Sequence, residues 1–562
     1  MPMENEKKSA TGIRLILGYL GLSMIGEGLV SLFPLAILLF YPQEWAIYLD
    51  FLVPSGTAMV LGFLLWLSTL AGRKAGKLAR NEDAVLLTLL WIMAFALGAF
   101  PFYLTKFPAL NGGDSALDLG VSYSESFFEA TSGYTATGLT VMPTKLFLTG
   151  VDSSPYPAAH VFLFHRAWMQ FIGGVGLVLL ITSLISSKNN FKLFFAEGHN
   201  DRLIPNIGRN AKVLFGIYAI LILIGSISLW LAGMTPFDAV CHSIGGIATG
   251  GFSTRFNSIE FYSTTAYSSL EKGNLVYTGN AIAIEIVTEF IMLAGATNFV
   301  LQTFVVRGQW NKYRKDIEVR TMFILVVTLS LFAALSTYLQ GNVYRIGEPL
   351  DFVTSLRYNT FYIISSISTT GFMNHSLPAL GHMTIMLGVL AMAIGGGMGS
   401  TAGGLKQYRV AILIKQFAWS IKNRDLSPRY RVPRNHVRLG EVRPIDTKTT
   451  AEALSYLVTY LCFSLFGIMA LLFCPNVGYE AAVHEWSTAL AGQGADLLDL
   501  FSYRANNPLE AYNSVLWILN VGMLLGRLEI IPVLMAIRHV TFDTAEGFLQ
   551  KRRMKKHATI AE

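Results

Sequence analysis

The chain has 562 residues, 52% of them hydrophobic and 14% charged, with a mean hydropathy of +0.47. Soluble domains carry about a quarter charged residues, so a water-soluble fold is excluded. The formal charge of +7 comes from positives spread over many loops rather than one patch, which argues against nucleic-acid binding and for membrane topology.

Ten apolar stretches are long enough to cross a hydrocarbon core, which takes about 20 helical residues. They run over 13–40, 49–71, 84–105, 160–186, 211–232, 280–306, 319–338, 382–416 with an interruption, 450–473 and 512–538. Cytoplasmic loops retain Lys and Arg near span ends. With the N-terminus inside, 32 of the 43 basic residues fall on inside segments, nine of them in 415–448, and both termini are expected in the cytoplasm. The first stretch has a basic leader, but its apolar run exceeds a signal-peptide core, so it is expected to remain as an anchor. It forms a two-helix hairpin with the second stretch over 1–80, whose role the sequence does not disclose. Cys241, Cys462 and Cys474 make no paired framework. His160, His165, His199 and His242 match no zinc spacing and are read as packed or interfacial residues.

An internal repeat follows the hairpin. Four half-apolar segments, too short to span, each run into a small-residue stretch ending in glycine: 123–138, 236–250, 355–371 and 479–494. Their last glycines, Gly138, Gly250, Gly371 and Gly494, are separated by 112, 121 and 123 residues. This period predicts four units over 81–205, 206–315, 316–448 and 449–562. The expected fold is an all-α polytopic membrane protein: four pseudo-symmetric helix–re-entrant pore loop–helix repeats around one pore, plus the N-terminal hairpin. Irregular backbone at membrane depth is tolerated only where protein shields it or water lines it. Carbonyls there can replace the hydration of a cation, glycine permits the required backbone, and the negative C-terminal ends of the short helices favour cations. One glycine-rich stretch alone reads more readily as a helix-packing site. Four at matching places favour the path.

Five strings carry a likeness to a known family: HRAWMQFIGGVG at 165–176, MLAGATNF at 292–299, KDIEVR at 315–320, GGGMGSTAGGLKQYRV at 395–410 and MLLGRLEI at 523–530. On these the chain resembles the Trk/Ktr/HKT superfamily of cation channels and transporters, above all its TrkH- and KtrB-like potassium-uptake membrane subunits. The resemblance implies a selectivity filter with one glycine per repeat, carried over to Gly138, Gly250, Gly371 and Gly494. Adjacent carbonyls would come from Thr135, Ala136 and Thr137; from Ile247, Ala248 and Thr249; from Ser368, Thr369 and Thr370; and from Ala491, Gly492 and Gln493. In the fourth copy Gly492 and Gly494 compete for the ring position. Glycine at 138, where sodium-preferring relatives often have serine, leans toward potassium held at the filter carbonyls. The resemblance also implies an intramembrane gating loop containing Gly395, Gly396, Gly397, Gly399, Ser400, Thr401, Gly403 and Gly404, with Lys406 and Arg527 beside it. It implies a homodimer in the cell membrane, in contact with lipid, and a separate cytosolic nucleotide-binding RCK regulatory subunit, with no cofactor in this chain.

Read from the residues alone, Arg527 sits in an apolar helix, where a charge costs roughly 2.5–3.5 kcal/mol on insertion scales. Pairing with Glu529 is discounted, since residues two apart on a helix point to different faces. Lys406 could equally snorkel to the inner surface. Asp496 and Asp499 could draw cations to an outer mouth or be merely solvated, and the charged run 422–443 could hold a partner or the membrane surface. A sodium-conducting or sodium-coupled relative remains an alternative. A membrane-embedded hydrolase is less supported, because no nucleophile and base are arranged together and no GxxxxGK[ST] string occurs, so no enzymatic activity is expected.

Overall fold

The computed structural model describes residues 9–76, 78, 81–107, 114–149, 153–175, 207–263, 280–341, 351–424 and 434–543. The predicted span end 176–186, most of the 187–212 loop with His199, residues 425–433 of the basic loop and the tail from 544 lie outside them.

Two helices open the chain, Ile13–Ser31 and Tyr48–Thr69, joined by short 3-10 turns. They pack closely because glycines face each other. A Cβ on Gly21 would lie 2.7 Å from the Gly62 carbonyl oxygen, and one on Gly62 would lie 2.6 Å from that of Gly21.

An outer helix, a short re-entrant helix and an inner helix then recur four times. The outer helices are Glu82–Leu104, Ile207–Leu231, Ile317–Leu339 and Thr447–Leu472. The re-entrant helices are Tyr123–Tyr134, Pro236–Ile247, Phe352–Ile367 and Tyr479–Ala491. Their starts are written locally. Ser122 and Glu125 form a capping box, Thr235 caps with Pro236 behind it, and Asp351 accepts from the Thr354 N–H; Gly478 begins the fourth without a side-chain cap.

Three of the inner helices are broken. The third runs His382–Ile394 and resumes at Gln407–Lys422. The second, Ala281–Ala296, turns by 116° into Phe299–Val306, and the fourth, Leu509–Arg527, turns by 106° into the helix that begins at Ile531. Only the third break was predicted; 280–306 and 512–538 read as continuous because their apolar residues continue through the bend. The first inner helix is described over Ala159–Val175.

Large apolar side chains stand exposed on the outward faces, among them Leu64, Phe323, Phe332, Leu465 and Phe466, as lipid contact requires. The hairpin is fastened to the first repeat by two buried carboxylates. Glu44 accepts from the His160 and Val161 N–H groups at 3.2 and 3.0 Å and pairs with His160 Nδ1 at 2.7 Å, capping the first inner helix. Glu27 accepts from the hydroxyl of Tyr134, the last residue of the first re-entrant helix. The hairpin, silent in the sequence, thus braces the first re-entrant helix from outside.

Removing one partner of a buried pair strands the other, at a cost of about 1–3 kcal/mol. Tyr134→Phe should therefore lower the thermal stability of the purified protein by that order. Glu27→Leu combined with Tyr134→Phe should cost less than the two single changes together; strict additivity in a double-mutant cycle would remove this link from the account.

Candidate functional site

Each re-entrant helix ends in a turn of one shape. The residue two after the helix takes a left-handed conformation in the first three units, at Ala136, Thr249 and Thr369, with φ of 54°, 51° and 53°. In the fourth, Gly492, directly after the helix and likewise two residues before the ring glycine, takes it at 71°. Two residues further on stands a glycine with positive φ: Gly138 at 98°, Gly251 at 72°, Gly371 at 89° and Gly494 at 87°.

These four glycines close a ring. A Cβ on Gly138 would lie 2.3 Å from the Gly250 carbonyl oxygen, one on Gly251 2.0 Å from that of Thr370, one on Gly371 1.8 Å from that of Gln493, and one on Gly494 2.0 Å from that of Thr137. Every ring glycine presses on the peptide before the next ring glycine, and the fourth returns to the first. No side chain fits between the loops unless their backbone shifts, so backbone faces backbone around one axis.

The geometry corrects the second unit by one residue. Gly251, not Gly250, is the counterpart of Gly138; Ala248, Thr249 and Gly250 correspond to Thr135, Ala136 and Thr137, and Ile247 is the last helical residue. The string ATG occurs at both 136–138 and 248–250, but relative to the ring glycine the second copy stands one residue earlier. Counting from the helix caps gives the right register in three units, since Ser122, Thr235 and Gly478 each precede a ring glycine by 16 residues; the third helix is about one turn longer, and Asp351 stands 20 residues before Gly371. The same count separates Gly494, in the ring, from Gly492, in the left-handed turn.

Below the ring lies the predicted glycine run. Gly395 (φ 72°) ends the upper half of the third inner helix and crosses the Gly403 carbonyl, 2.1 Å from the place of its Cβ. Gly403 abuts the carbonyl of Ala491, its Cβ position 1.9 Å away, and its N–H donates to the Thr369 hydroxyl at 2.7 Å. Thr401 donates to the Ile247 and Gly295 carbonyls at 2.9 and 3.0 Å and receives the Thr249 hydroxyl at 3.0 Å. Gly397 and Thr401 N–H groups donate to Ala296 and Gly295, and Phe299 N–H to Gly399, so the loop satisfies the groups freed by the break in the second inner helix. Gly396 packs on Ala402, Gly404 lies beside Met392 and Gly395, and Ser400 donates to the Gly397 carbonyl.

Arg527 ends the fourth inner helix and donates to the Gly173 carbonyl of the first and to the Thr401 carbonyl of the loop. Glu529 pairs with Arg409 at 2.7 Å. Lys406 turns its ammonium back onto the Ala402 carbonyl. A cavity of about 40 Å³ remains between loop and ring, lined by Thr137, Thr401, Gly403, Lys406, Gly492 and Arg527 among others. Above the ring a vestibule of about 550 Å³ opens, with Asp496 and Asp499 on its wall. Asp496 accepts from the Asp499 and Leu500 N–H groups.

The sequence reading missed the ionic pairs behind the ring, whose carboxylates are all buried. Arg166 Nε meets Glu129 at 2.7 Å, and Nη1 donates to Ser253 of the second unit at 2.9 Å. Arg255 pairs with Asp238; Arg357 joins Glu285 across the second and third units; Arg504 joins Glu125 across the fourth and first. Single charges inside apolar stretches were the available signal. His160 and His242 are held by Glu44 and Ser253, His165 approaches the Gly98 carbonyl, and no His/Cys/Asp/Glu cluster that could hold a metal ion occurs among the described residues. Cys241 and Cys474 are buried and Cys462 exposed.

The sequence profile of the TrkH family, described as cation transport protein, matches residues 109–481. A Trk system potassium uptake protein of Salmonella typhimurium is 29% identical over 488 residues, covering 85% of this chain and 89% of its own. One from Halomonas elongata is 29% identical over 535 residues, covering 93% and 97%. An uncharacterized cation transporter of Methanocaldococcus jannaschii is 26% identical over 96% of this chain and 97% of its own. In three dimensions the chain matches the crystal structure of the potassium transporter TrkH from Vibrio parahaemolyticus with a TM-score of 0.72 at 24% identity, over 93% of this chain and 98% of that one.

The two glycines of the fourth loop should respond differently to a methyl group. A Cβ on Gly492 meets nothing nearer than 3.8 Å. Gly492→Ala then costs only the left-handed conformation, about 1–2 kcal/mol. Gly494→Ala drives a methyl into the Thr137 carbonyl, forces the ring backbone to shift, and should lower the thermal midpoint well below that of Gly492→Ala. Equal tolerance of both would contradict the ring.

Proposed function

The chain belongs to the TrkH family of cation transport proteins, and from that premise we propose that it takes up potassium through a filter made of its four loops. It is a multi-pass membrane protein of a transporter family rather than an enzyme family. The observation that carries the reading is the closed ring of Gly138, Gly251, Gly371 and Gly494, each against the peptide of the next. A cation on the axis sheds water and takes backbone carbonyls from four sides in its place. Four re-entrant helices end at the ring and add the negative ends of their dipoles. Potassium as the cargo is supported by the names of the relatives and by glycine at all four places; sodium is the alternative cargo of the same path.

The loop from Gly395 to Gly404 acts in this reading as the gate. It lies across the path below the ring, tied to the second loop through Thr249 and Thr401 and to the third through Thr369 and Gly403. Arg527 latches it to the first inner helix and places a positive charge beside the path. Opening breaks these bonds together. The distribution of Lys and Arg supports cytoplasmic termini, and the chain's lack of a GxGxxG nucleotide loop suits control by a separate RCK-type subunit on a homodimer.

Two measurements on liposomes holding the purified protein test this. Wild-type flux should rank potassium and rubidium well above sodium, and Gly138→Ser should narrow that gap; equal sodium flux in the wild type favours the alternative cargo. Thr401→Val removes the hydroxyl that joins the loop to Ile247, Gly295 and Thr249 while keeping its shape. Basal flux should rise severalfold in that variant, and more modestly in Arg527→Ala, with the potassium-to-sodium ratio unchanged. A changed ratio at unchanged flux would move Thr401 and Arg527 from the gate to the filter.

A further inference from the structure

Gln170 lies on the first inner helix, fully buried, with its amide against the second loop. Nε2 donates to the Gly250 carbonyl at 2.6 Å, and Oε1 accepts from the Phe252 N–H at 3.2 Å. One planar amide therefore holds the backbone on both sides of the ring glycine Gly251. Gly250 makes the room. A Cβ there would lie 2.5–2.8 Å from the Gln170 amide atoms, whereas the φ of Gly250 is not left-handed. The double glycine thus has two causes: Gly251 closes the ring, and Gly250 admits Gln170.

The other loops are braced within their own unit. Ser132 Oγ accepts the Gly138 N–H at 3.0 Å, and Ser365 Oγ accepts the Gly371 N–H at 3.0 Å. In the fourth loop Gln493 Oε1 accepts from the Ala495 N–H at 3.0 Å and from the Thr488 hydroxyl at 3.2 Å. The second loop has Gly245 where the first and third have serine, and the Gly251 N–H reaches the Gly245 carbonyl at 3.3 Å. The side-chain brace missing from its own helix is replaced by one from the neighbouring unit.

We propose that Gln170 is a positioning residue for ion selection, fixing the Gly250 carbonyl and so the second quarter of the ring. This rests on the reading of the ring as a filter. A loop without the brace can follow a smaller ion inward, and the energetic difference between potassium and sodium shrinks. The loss falls on selectivity rather than on conduction, because the ring glycines and the path stay in place.

The test uses the full-length protein in liposomes, with potassium and sodium flux measured in parallel. Gln170→Met keeps the volume without the hydrogen bonds, Gln170→Asn keeps the amide one methylene too short, and Gly138→Ser serves as reference for the ring. We expect both Gln170 variants to lower the potassium-to-sodium flux ratio severalfold. Gly245→Ser, placed in the Gln170→Met background to restore the hydroxyl used by the first and third loops, should recover part of it. A ratio at the wild-type level in both Gln170 variants, while Gly138→Ser shifts it, overturns the proposal even if their thermal midpoint falls. A ratio unmoved by Gly138→Ser as well overturns the filter reading itself. If Gln170→Met fails to insert, Gln170→Asn alone decides by the same ratio.

Discussion

Backbone pressed on backbone at membrane depth is the constraint from which the rest of this structure follows. Within lipid an unpaired peptide group costs several kcal/mol, so irregular chain survives only if other chain covers it. Four loops meet that demand collectively: the place of each ring glycine's missing side chain is filled by a peptide of the next loop. Closure then fixes the surroundings. The re-entrant helices must end at one level and the inner helices must leave space beneath, while an arginine hydrogen bond between the first and second units and ionic pairs between the second and third and the fourth and first hold these quarters together from behind.

The region below the ring obeys the same rule. Breaking the second inner helix at Thr297 and Asn298 frees carbonyls and N–H groups, and the glycine run of the third helix is what satisfies them. The loop is therefore not a loose flap. It is bonded to two helices and to the threonines of two ring turns, and moving it means exchanging those bonds for water. In the gate we propose, that exchange separates a closed path from an open one.

Much of this was legible in the sequence because it repeats. Four short segments at a near-constant period located the loops, and the charges inside apolar stretches pointed to Arg527. What escaped was set by contacts between distant segments. Gly250 and Gly251 are adjacent glycines, and only the cap at Thr235 or the presence of Gln170, some 80 residues earlier, tells which one faces the axis. The bend at Asn298 was hidden because the apolar pattern runs straight through it and its compensation arrives a hundred residues later, in Met398 and Gly399. The hairpin's purpose was hidden for a similar reason, since Glu27 and Glu44 acquire meaning only against Tyr134 and His160.

The central claim is that the four loops form one cation site on a common axis. A structure of the protein in rubidium, located by anomalous scattering, addresses it most directly. The account predicts a rubidium peak on the axis at the level of Gly138, Gly251, Gly371 and Gly494, with carbonyls from all four loops around it. Rubidium bound away from that ring, or a ring empty in protein that transports rubidium, would contradict it.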